Sequence, residues 1–396
     1  MSNDTPRPGA VPQMLRSDLG PVDELRQAQA DGTLLKGASP DGSPVRLVTR
    51  FEQAQDVLAD PGRFSSRATT RFLGGDRGDD RAANAGNLLL MDPPEHSRLR
   101  RMCAGEFTVR HVRALQPRVA TIVENCLDAI EAQGSDFDLI AEFTRPISSL
   151  VICELLGVPD ADRDEFQDVA ARRIDAGRSL QARTQAAREA AEYMGKLVAR
   201  VRAAPGDDLL GRLVREHGDA ITEPELVGLA NLLLIAGHQT TADMIGLSVL
   251  VLLREPERAA RLRDGQDAVA PTVEELLRVL STVSVSTPRR ATEATDVGGH
   301  RLEVGETVVV SFSAANRDPE RFTDADTFDV DRTPRPHLAF GHGAHYCLGA
   351  ALARLELATA LPALLRRFPH LALVDRPLDP LPPGPFFGLA SLMVRK

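Results

Sequence analysis

Apolar residues recur at helical spacing along most of the chain between residues 94 and 290, and Pro, Gly and Asp mark the breaks. One helical segment is much longer than the others. It begins at Thr222, a residue type that caps helix N-termini, has Pro224 in its first turn and runs to about Glu255. At 1.5 Å per residue, this segment predicts a helix of roughly 50 Å.

Further helices are predicted over residues 51–60 and 348–367. Strand signals are few. Residues 43–50 predict one strand, residues 298–318 predict a hairpin because β-branched runs flank a glycine-containing turn, and residues 380–396 predict a turn between short strands. The pattern therefore predicts a mainly α fold with a small β region, in the α+β class.

The first 20 residues are rich in Pro and polar side chains, which predicts a loosely held N-terminal segment over 1–20. No sharp change of composition follows, so residues 21–396 are expected to form a single domain. The net charge of −9 argues against nucleic-acid binding. The apolar stretch 226–253 is broken by GHQTTAD, which favours a buried helix over a membrane span. Four dispersed cysteines without a CxxC pair favour a reduced, cytoplasmic protein.

Residues 340–349, FGHGAHYCLG, place Cys347 at the start of the last predicted helix. Free backbone N–H groups and the helix dipole favour a thiolate there. Three interpretations are open for this cysteine. It is a buried structural thiol, a zinc ligand together with His342 and His345, or a thiolate bound axially to haem iron, which needs one protein ligand on that face.

The pattern Phe340-x-x-Gly343-x-His345-x-Cys347-x-Gly349 resembles the haem-binding signature of the cytochrome P450 family. Further motifs that resemble those of the family precede it in the expected order: DPPEHSRLRR, IAGHQTTADMIG, TVEELLR, TPRRATEA, NRDPERF and FDVDR. The resemblance implies a cytochrome P450-like fold, with the long central helix over the haem and the cysteine loop beneath it.

The resemblance implies haem b (iron protoporphyrin IX) as the cofactor and Cys347 as its iron ligand. The remaining cofactor-binding residues implied are the loop residues and the groups that hold the haem propionates: Phe340, Gly341, Gly349, His96, Arg100, Arg289 and His345. Arginine suits a propionate because its planar fork meets a carboxylate in two places. Arg290 is a rival to Arg289.

Over the haem, the resemblance makes Thr240 the proton-delivering alcohol. Gln239 departs from the family, where an acid is commoner at that position. An amide orients water but does not carry a proton as a carboxylate does. Asp243 lies one helical turn beyond Gln239, and we hypothesise that it partly substitutes. The alternative for the Gly and Thr residues of this segment is a helix kink needed for packing.

Glu275 and Arg278 lie three apart on one helix, and the resemblance joins them to Arg332 in a buried structural trio. The alternative is that Thr272-x-x-Glu275 forms a capping box. For the substrate pocket the resemblance implies mainly aliphatic residues, and hence an apolar or amphipathic small molecule. The predicted lining is Leu90, Ile235, Ala236, Val283, Val285 and Phe387.

The predicted function is that of a haem-thiolate monooxygenase, an iron-containing oxidoreductase that activates dioxygen and hydroxylates or epoxidises its substrate in secondary-metabolite biosynthesis. Because the chain shows no flavin or iron–sulfur segment, ferredoxin and ferredoxin reductase are the expected electron donors. Arg98, Arg101, Arg110, His111 and Arg113 offer a basic docking patch. A carrier protein that presents the substrate is a further candidate partner. The alternatives are a peroxide-driven peroxygenase and a non-catalytic haem-binding protein.

Overall fold

The computed structural model describes residues 16–38, 43–67, 84–174 and 180–396. Helices make up most of these residues. They are α1 (Asp23–Asp31), α2 (Phe51–Ala59), α3 (Glu95–Ala104), α4 (Val109–Ala114), α5 (Gln116–Glu131), α6 (Arg145–Leu156), α7 (Arg163–Ile174), α8 (Leu180–Ala203), α9 (Leu209–His217), α10 (Glu223–Arg254), α11 (Pro256–Asp264), α12 (Val269–Leu280), α13 (Phe312–Ala315) and α14 (Ala350–Arg367).

The strands are short and form small sheets. They are β1 (Arg16–Ser17), β2 (Gly20–Pro21), β3 (Leu35–Ala38), β4 (Pro44–Val48), β5 (Phe64–Ser65), β6 (Asp136–Asp138), β7 (Arg289–Ala291), β8 (Thr295–Val297), β9 (His300–Leu302), β10 (Thr307–Val310), β11 (Ala372–Leu373), β12 (Asp379–Pro380), β13 (Leu389–Ser391) and β14 (Met393–Arg395). The largest sheet has the order β3-β4-β10-β7-β5. This architecture confirms the predicted α+β class.

Helix α10 is the long helix that the sequence predicts. Thr222 is its N-cap, and the side chains of Thr222 and Glu225 form a reciprocal capping box with the backbone, while Pro224 occupies the first turn. Most of its residues between Leu226 and Leu252 are buried, and it packs against α6, α8 and α14. A helix that is apolar on almost every side belongs in the centre of a protein, where it orders the helices around it.

The predicted hairpin over 298–318 is wrong in its pairing. Strand β9 pairs with β8, through a turn at Gly298 and Gly299, whose φ angles are +58° and +83°. Left-handed φ angles at both central residues of a two-residue loop are the geometry of a tight hairpin turn. Strand β10 instead lies between β4 and β7, and the residues after it form the short helix α13.

The N-terminal segment is held in place where it is described. Residues 1–15 lie outside the described residues, but β1 pairs with β2, and Arg16 donates hydrogen bonds to the carbonyl of Ser281 and the hydroxyl of Ser284. The loose N-terminal segment over 1–20 stays a prediction. Within the described residues, the helices lack the combination of length and apolar character needed to cross a membrane.

Candidate haem-thiolate site

The cysteine loop precedes α14 and is shaped by two glycines. Gly341 and Gly343 have φ angles of +70° and +69°, a region that favours glycine. A Cβ on Gly343 would lie 2.4 Å from the carbonyl oxygen of Leu58, at the end of α2, so the loop packs directly on that helix. The backbone N–H of Cys347 donates to the carbonyl of Phe340 over 2.8 Å and closes the loop.

Cys347 lies three residues before the first residue of α14. Its side chain is accessible, and burial nevertheless raises the pKa of its thiol. The backbone of Gly349 and the positive charge of Arg100 lower that pKa, but burial outweighs them. The backbone contribution thus acts in the direction that favours a thiolate. Coordination by a metal ion would deprotonate this thiol.

The structure brings His96, Arg100, Arg289 and His345 together beside the cysteine loop. The rings of His96 and His345 are tilted against each other with centroids 4.2 Å apart. Arg100 donates to the carbonyl of Tyr346 over 2.5 Å. The four groups come from helix α3, strand β7 and the loop, which are distant in sequence. Arg290, the rival of Arg289, is exposed on the other side of β7.

This cluster concentrates cations and hydrogen-bond donors in a buried place. Burial, followed by the charge of Arg100, lowers the pKa of His96 to about 4. Burial, followed by the charge of Arg289, lowers the pKa of His345 to about 2, and burial lowers the pKa of Arg289 to about 10. Among the described residues, neither ring nitrogen of His96 has a hydrogen-bond partner. Such a cluster fits a ligand that carries buried carboxylates.

Two residues of this site were missed by sequence reasoning. Ser66 contacts both Arg289 and His345, and Asp92 holds the segment that carries Ser66. Asp92 is part of the motif DPPEHSRLRR and lies three residues before α3. Ser66 directly follows β5, and no pattern in the sequence marks it as a site residue.

Two residues in the middle of helix α10 are accessible. Ala236 is exposed and Thr240 partly exposed, although the helix around them is buried. Asp243 follows at the spacing that continues the same helix face. The Thr240 hydroxyl donates to the carbonyl of Ala236 over 2.5 Å, so the i−4 bond expected of a Thr in a helix is present. Helix α10 remains continuous across this segment.

Gln239 and Asp243 form a buried pair in which the Gln239 amide donates to Oδ1 of Asp243 over 2.6 Å. Burial raises the pKa of Asp243 to about 7. Its Oδ2 accepts no hydrogen bond within the described part of the chain. A Cβ on Gly388, in the C-terminal turn, would lie 2.2 Å from Oδ1, so this glycine makes room for the carboxyl group.

The buried trio lies behind the cysteine loop. Glu275 accepts hydrogen bonds from Arg278 at 2.7 and 2.8 Å and from Arg332 at 3.0 Å. Arg278 also donates to the carbonyl of Asn316, and the Asn316 side chain accepts from the backbone N–H of Leu338, two residues before the loop. The capping-box alternative is wrong, because α12 begins at Val269 and not after Thr272.

The predicted pocket residues differ in exposure. Ala236 is exposed, Ile235 and Val283 are partly exposed, and Leu90 is buried. The prediction that Val285 lines the pocket is wrong, because this residue is 2 % exposed and packs in a core cluster with Leu25, Leu47 and Val309.

Phe387 lies on a different face from Val283. Val283 pairs with Phe386 in an antiparallel bridge, which points the side chain of Phe386 to the same side as Val283 and that of its neighbour Phe387 to the other. The guanidinium of Arg16 stacks over the Phe387 ring at 4.9 Å. Phe387 is partly exposed, and its place in the pocket stays a prediction.

The zinc alternative finds no support in this arrangement. Within the described ranges, no group of three His, Cys, Asp or Glu side chains is placed to hold a metal ion, and this includes His342, His345 and Cys347. A single thiolate ligand to haem iron is the interpretation that fits one accessible cysteine beside a carboxylate-binding cluster.

Comparison with known proteins decides the family. The profile described as Cytochrome P450 matches residues 177–392. The chain is 45 % identical to Cytochrome P450 FAS1 of Rhodococcoides fascians over 366 residues, which cover 91 % of this chain and 92 % of that protein. The chain belongs to the cytochrome P450 family. It is a P450 monooxygenase with a haem-thiolate iron cofactor.

Other relatives of this P450 are similar to it over most of the chain. Mycinamicin IV hydroxylase/epoxidase of Micromonospora griseorubida is 43 % identical over 341 residues, which cover 84 % of each chain. The crystal structure of hybrid P450 OxyBtei(BC/FGvan) has a TM-score of 0.88 with 42 % identity and covers 97 % of this chain and 100 % of that one. The complex of the X-domain and OxyB from teicoplanin biosynthesis has a TM-score of 0.88 with 41 % identity and covers 97 % and 99 %.

The residues of this P450 fit the cofactor of its family. A haem carries two carboxylates, and the cluster of His96, Arg100, Arg289 and His345 offers two guanidinium groups and two imidazole rings to bind them. Gly349 has open space in place of a side chain within the described residues, which suits the close approach of a flat ring. Cys347 is accessible from the same region of the fold.

Proposed function

We propose that this P450 binds haem b, with Cys347 as iron ligand and the propionates held by His96, Arg100, Arg289 and His345. The observation that carries the proposal is the buried cluster of donors and cations beside the cysteine loop, in which the ring nitrogens of His96 lack partners among the described residues. Phe340, Gly341 and Gly349 complete the surroundings of the ring. When bound, the cofactor supplies a thiolate-ligated iron that activates dioxygen.

We propose that residues of α10 deliver protons in this site. Thr240 holds its hydroxyl against the Ala236 carbonyl and retains lone pairs that orient water. Gln239 is neutral, but it holds the carboxyl of Asp243 in a fixed position. Because the pKa of Asp243 is raised to about 7, its acid and carboxylate forms are both populated at neutral pH, and the acid form can supply a proton one turn from Thr240.

The proposed lining is aliphatic, with Ile235, Ala236 and Val283 accessible and Leu90 buried. It supports an apolar or amphipathic small molecule as substrate. The chemistry proposed is hydroxylation or epoxidation in a tailoring step of secondary-metabolite biosynthesis. Relatives named as an N-oxygenase of nocardicin C and a hydroxylase/epoxidase of mycinamicin IV support that context.

Electrons are proposed to arrive from ferredoxin and its reductase at the basic patch of α3 and α4. Arg101, Arg110, His111 and Arg113 are exposed there. Arg98 pairs with Glu225 and is therefore not free for docking. A carrier protein that presents the substrate is a second proposed partner, and the complex of a similar P450 with an X-domain supports the binding of a further domain.

The test is the absorption spectrum of Cys347→Ser. The parent protein is expected to show the absorption of thiolate-ligated haem after reduction and treatment with carbon monoxide, and the variant is expected to lose it. Cys126→Ser, which replaces a buried thiol on α5, is the matched control and should keep the parent spectrum. An unchanged spectrum in a folded Cys347→Ser protein would contradict the proposal.

A further inference from the structure

Ser66 connects two of the side chains proposed to bind the propionates. Its Oγ lies 2.5 Å from Nη1 of Arg289 and 3.1 Å from Nε2 of His345, although these residues lie 223 and 279 positions further along the chain. Ser66 is 0 % exposed. A hydroxyl in this position is shielded from water, so both contacts act at low dielectric.

The chemistry of the guanidinium fixes the direction of one of these hydrogen bonds: it has donors and no acceptor, so Ser66 accepts from Arg289. The hydroxyl has one proton and a second lone pair, so it pairs with Nε2 of His345 in either tautomer of the imidazole. One side chain therefore joins the arginine to the imidazole and restricts the orientation of both. Thr287 supplies Arg289 with a second acceptor at 2.9 Å.

Asp92 fixes Ser66 relative to helix α3. Its Oδ1 accepts from the backbone N–H of Ser66 over 2.8 Å, and its Oδ2 accepts from the hydroxyl of Ser65 over 2.5 Å. Asp92 directly precedes the helix that carries His96 and Arg100, and its carbonyl accepts the backbone N–H of His96. The end of β5 is thereby tied to the element that supplies the other half of the cluster.

We propose that Ser66 is a positioning residue for the cofactor: its hydroxyl holds Arg289 and His345 at the separation and orientation in which they bind the two carboxylates. The proposal rests on the proposed haem site. Ser66 acts through Arg289 and His345, so its removal should change how firmly the cofactor is held and how its potential is set, while the cysteine loop stays in place.

The experiment measures the rate at which ferric haem transfers from the holoenzyme to apomyoglobin. Ser66→Ala should release haem about fivefold faster than the parent, the ratio expected for one lost hydrogen bond. Its ferric/ferrous midpoint potential should fall, because a less firmly held Arg289 offsets the propionate charge less well. Ser148→Ala removes an equally buried hydroxyl on α6, which donates to the carbonyl of Thr144, and it should release haem at nearly the parent rate.

Rescue and coupling separate positioning from a general loss of structure. Ser66→Thr keeps the hydroxyl and should restore slow release. In a double-mutant cycle with Arg289→Lys, the two effects should be non-additive, because the substitutions act on one contact. Equal release from Ser66→Ala and Ser148→Ala, or additive effects in the cycle, would overturn the positioning role while haem binding stands. A parent protein that binds no haem would instead overturn the proposed function.

Discussion

At the scale of single residues, we propose that Asp243 supplies the acid that the sequence leaves open. The family more often has an acid where this chain has Gln239, and the lack of an acid there favours the peroxide-driven alternative. In the structure, the Gln239 amide holds a carboxyl one turn away, and burial raises the pKa of that carboxyl to about 7. An acid is therefore present one helical turn beyond the family's commoner position.

We expect Asp243→Asn to lower the product formed per reductant consumed by about tenfold, because a positioned general acid contributes at least that much. The pKa of about 7 gives the sign of the pH effect. The acid form predominates below pH 7, so the yield of the parent should fall as pH rises through that value, and the variant should show no such fall.

The measurement is coupling of ferredoxin-supplied electrons to product between pH 6 and 8.5. Gln239→Glu combined with Asp243→Asn moves the carboxyl to the family's commoner position and should recover yield. A yield that Asp243→Asn leaves unchanged would remove Asp243 from proton delivery.

At the scale of elements, two glycines inside helices differ in the space available for a side chain, and only the packing of the fold shows which has room. A Cβ on Gly228 in α10 would lie 1.8 Å from the backbone carbonyl oxygen of Ala85. That segment leads into Leu90, one of the predicted pocket residues. A Cβ on Gly195 in α8 would meet no atom of the described chain within 4 Å.

Gly228→Ala should therefore destabilise the protein by about 1–3 kcal/mol, since the clash is with backbone and exceeds the gain in helix propensity. Gly195→Ala should stabilise it by about 0.5–1 kcal/mol, because alanine loses less backbone entropy on folding. Denaturant unfolding of both variants measures the difference. Similar midpoints for the two would mean that the segment at Ala85 moves aside freely.

At the scale of the whole molecule, the trio of Glu275, Arg278 and Arg332 joins α12 to the segments that precede the cysteine loop. Arg278 is 2 % exposed and donates to the carbonyls of Asn316 and Ala325 as well as to Glu275. A buried network of this kind fixes the relative position of distant segments, at a cost that good geometry offsets.

Glu275→Gln should lower the free energy of unfolding by about 3–5 kcal/mol, because it leaves two guanidinium groups without their counter-charge in a buried place. The neighbouring Glu274 is partly exposed and pairs with Arg354, so Glu274→Gln should cost about 1 kcal/mol or less. Urea unfolding at pH 7 compares them. Equal losses would show that the buried trio does not support the fold.

The sequence by itself determined the features whose chemistry is local. The ends of α10 follow from a capping box, a proline and an apolar run, and the cysteine loop follows from residues within ten positions. Only the tertiary structure decided the partner of β10, the burial of Val285, the raised pKa of Cys347 and the contact of Ser66 with Arg289 and His345. Strand pairing, burial and electrostatic environment depend on residues hundreds of positions apart, and no short pattern records which of them meet.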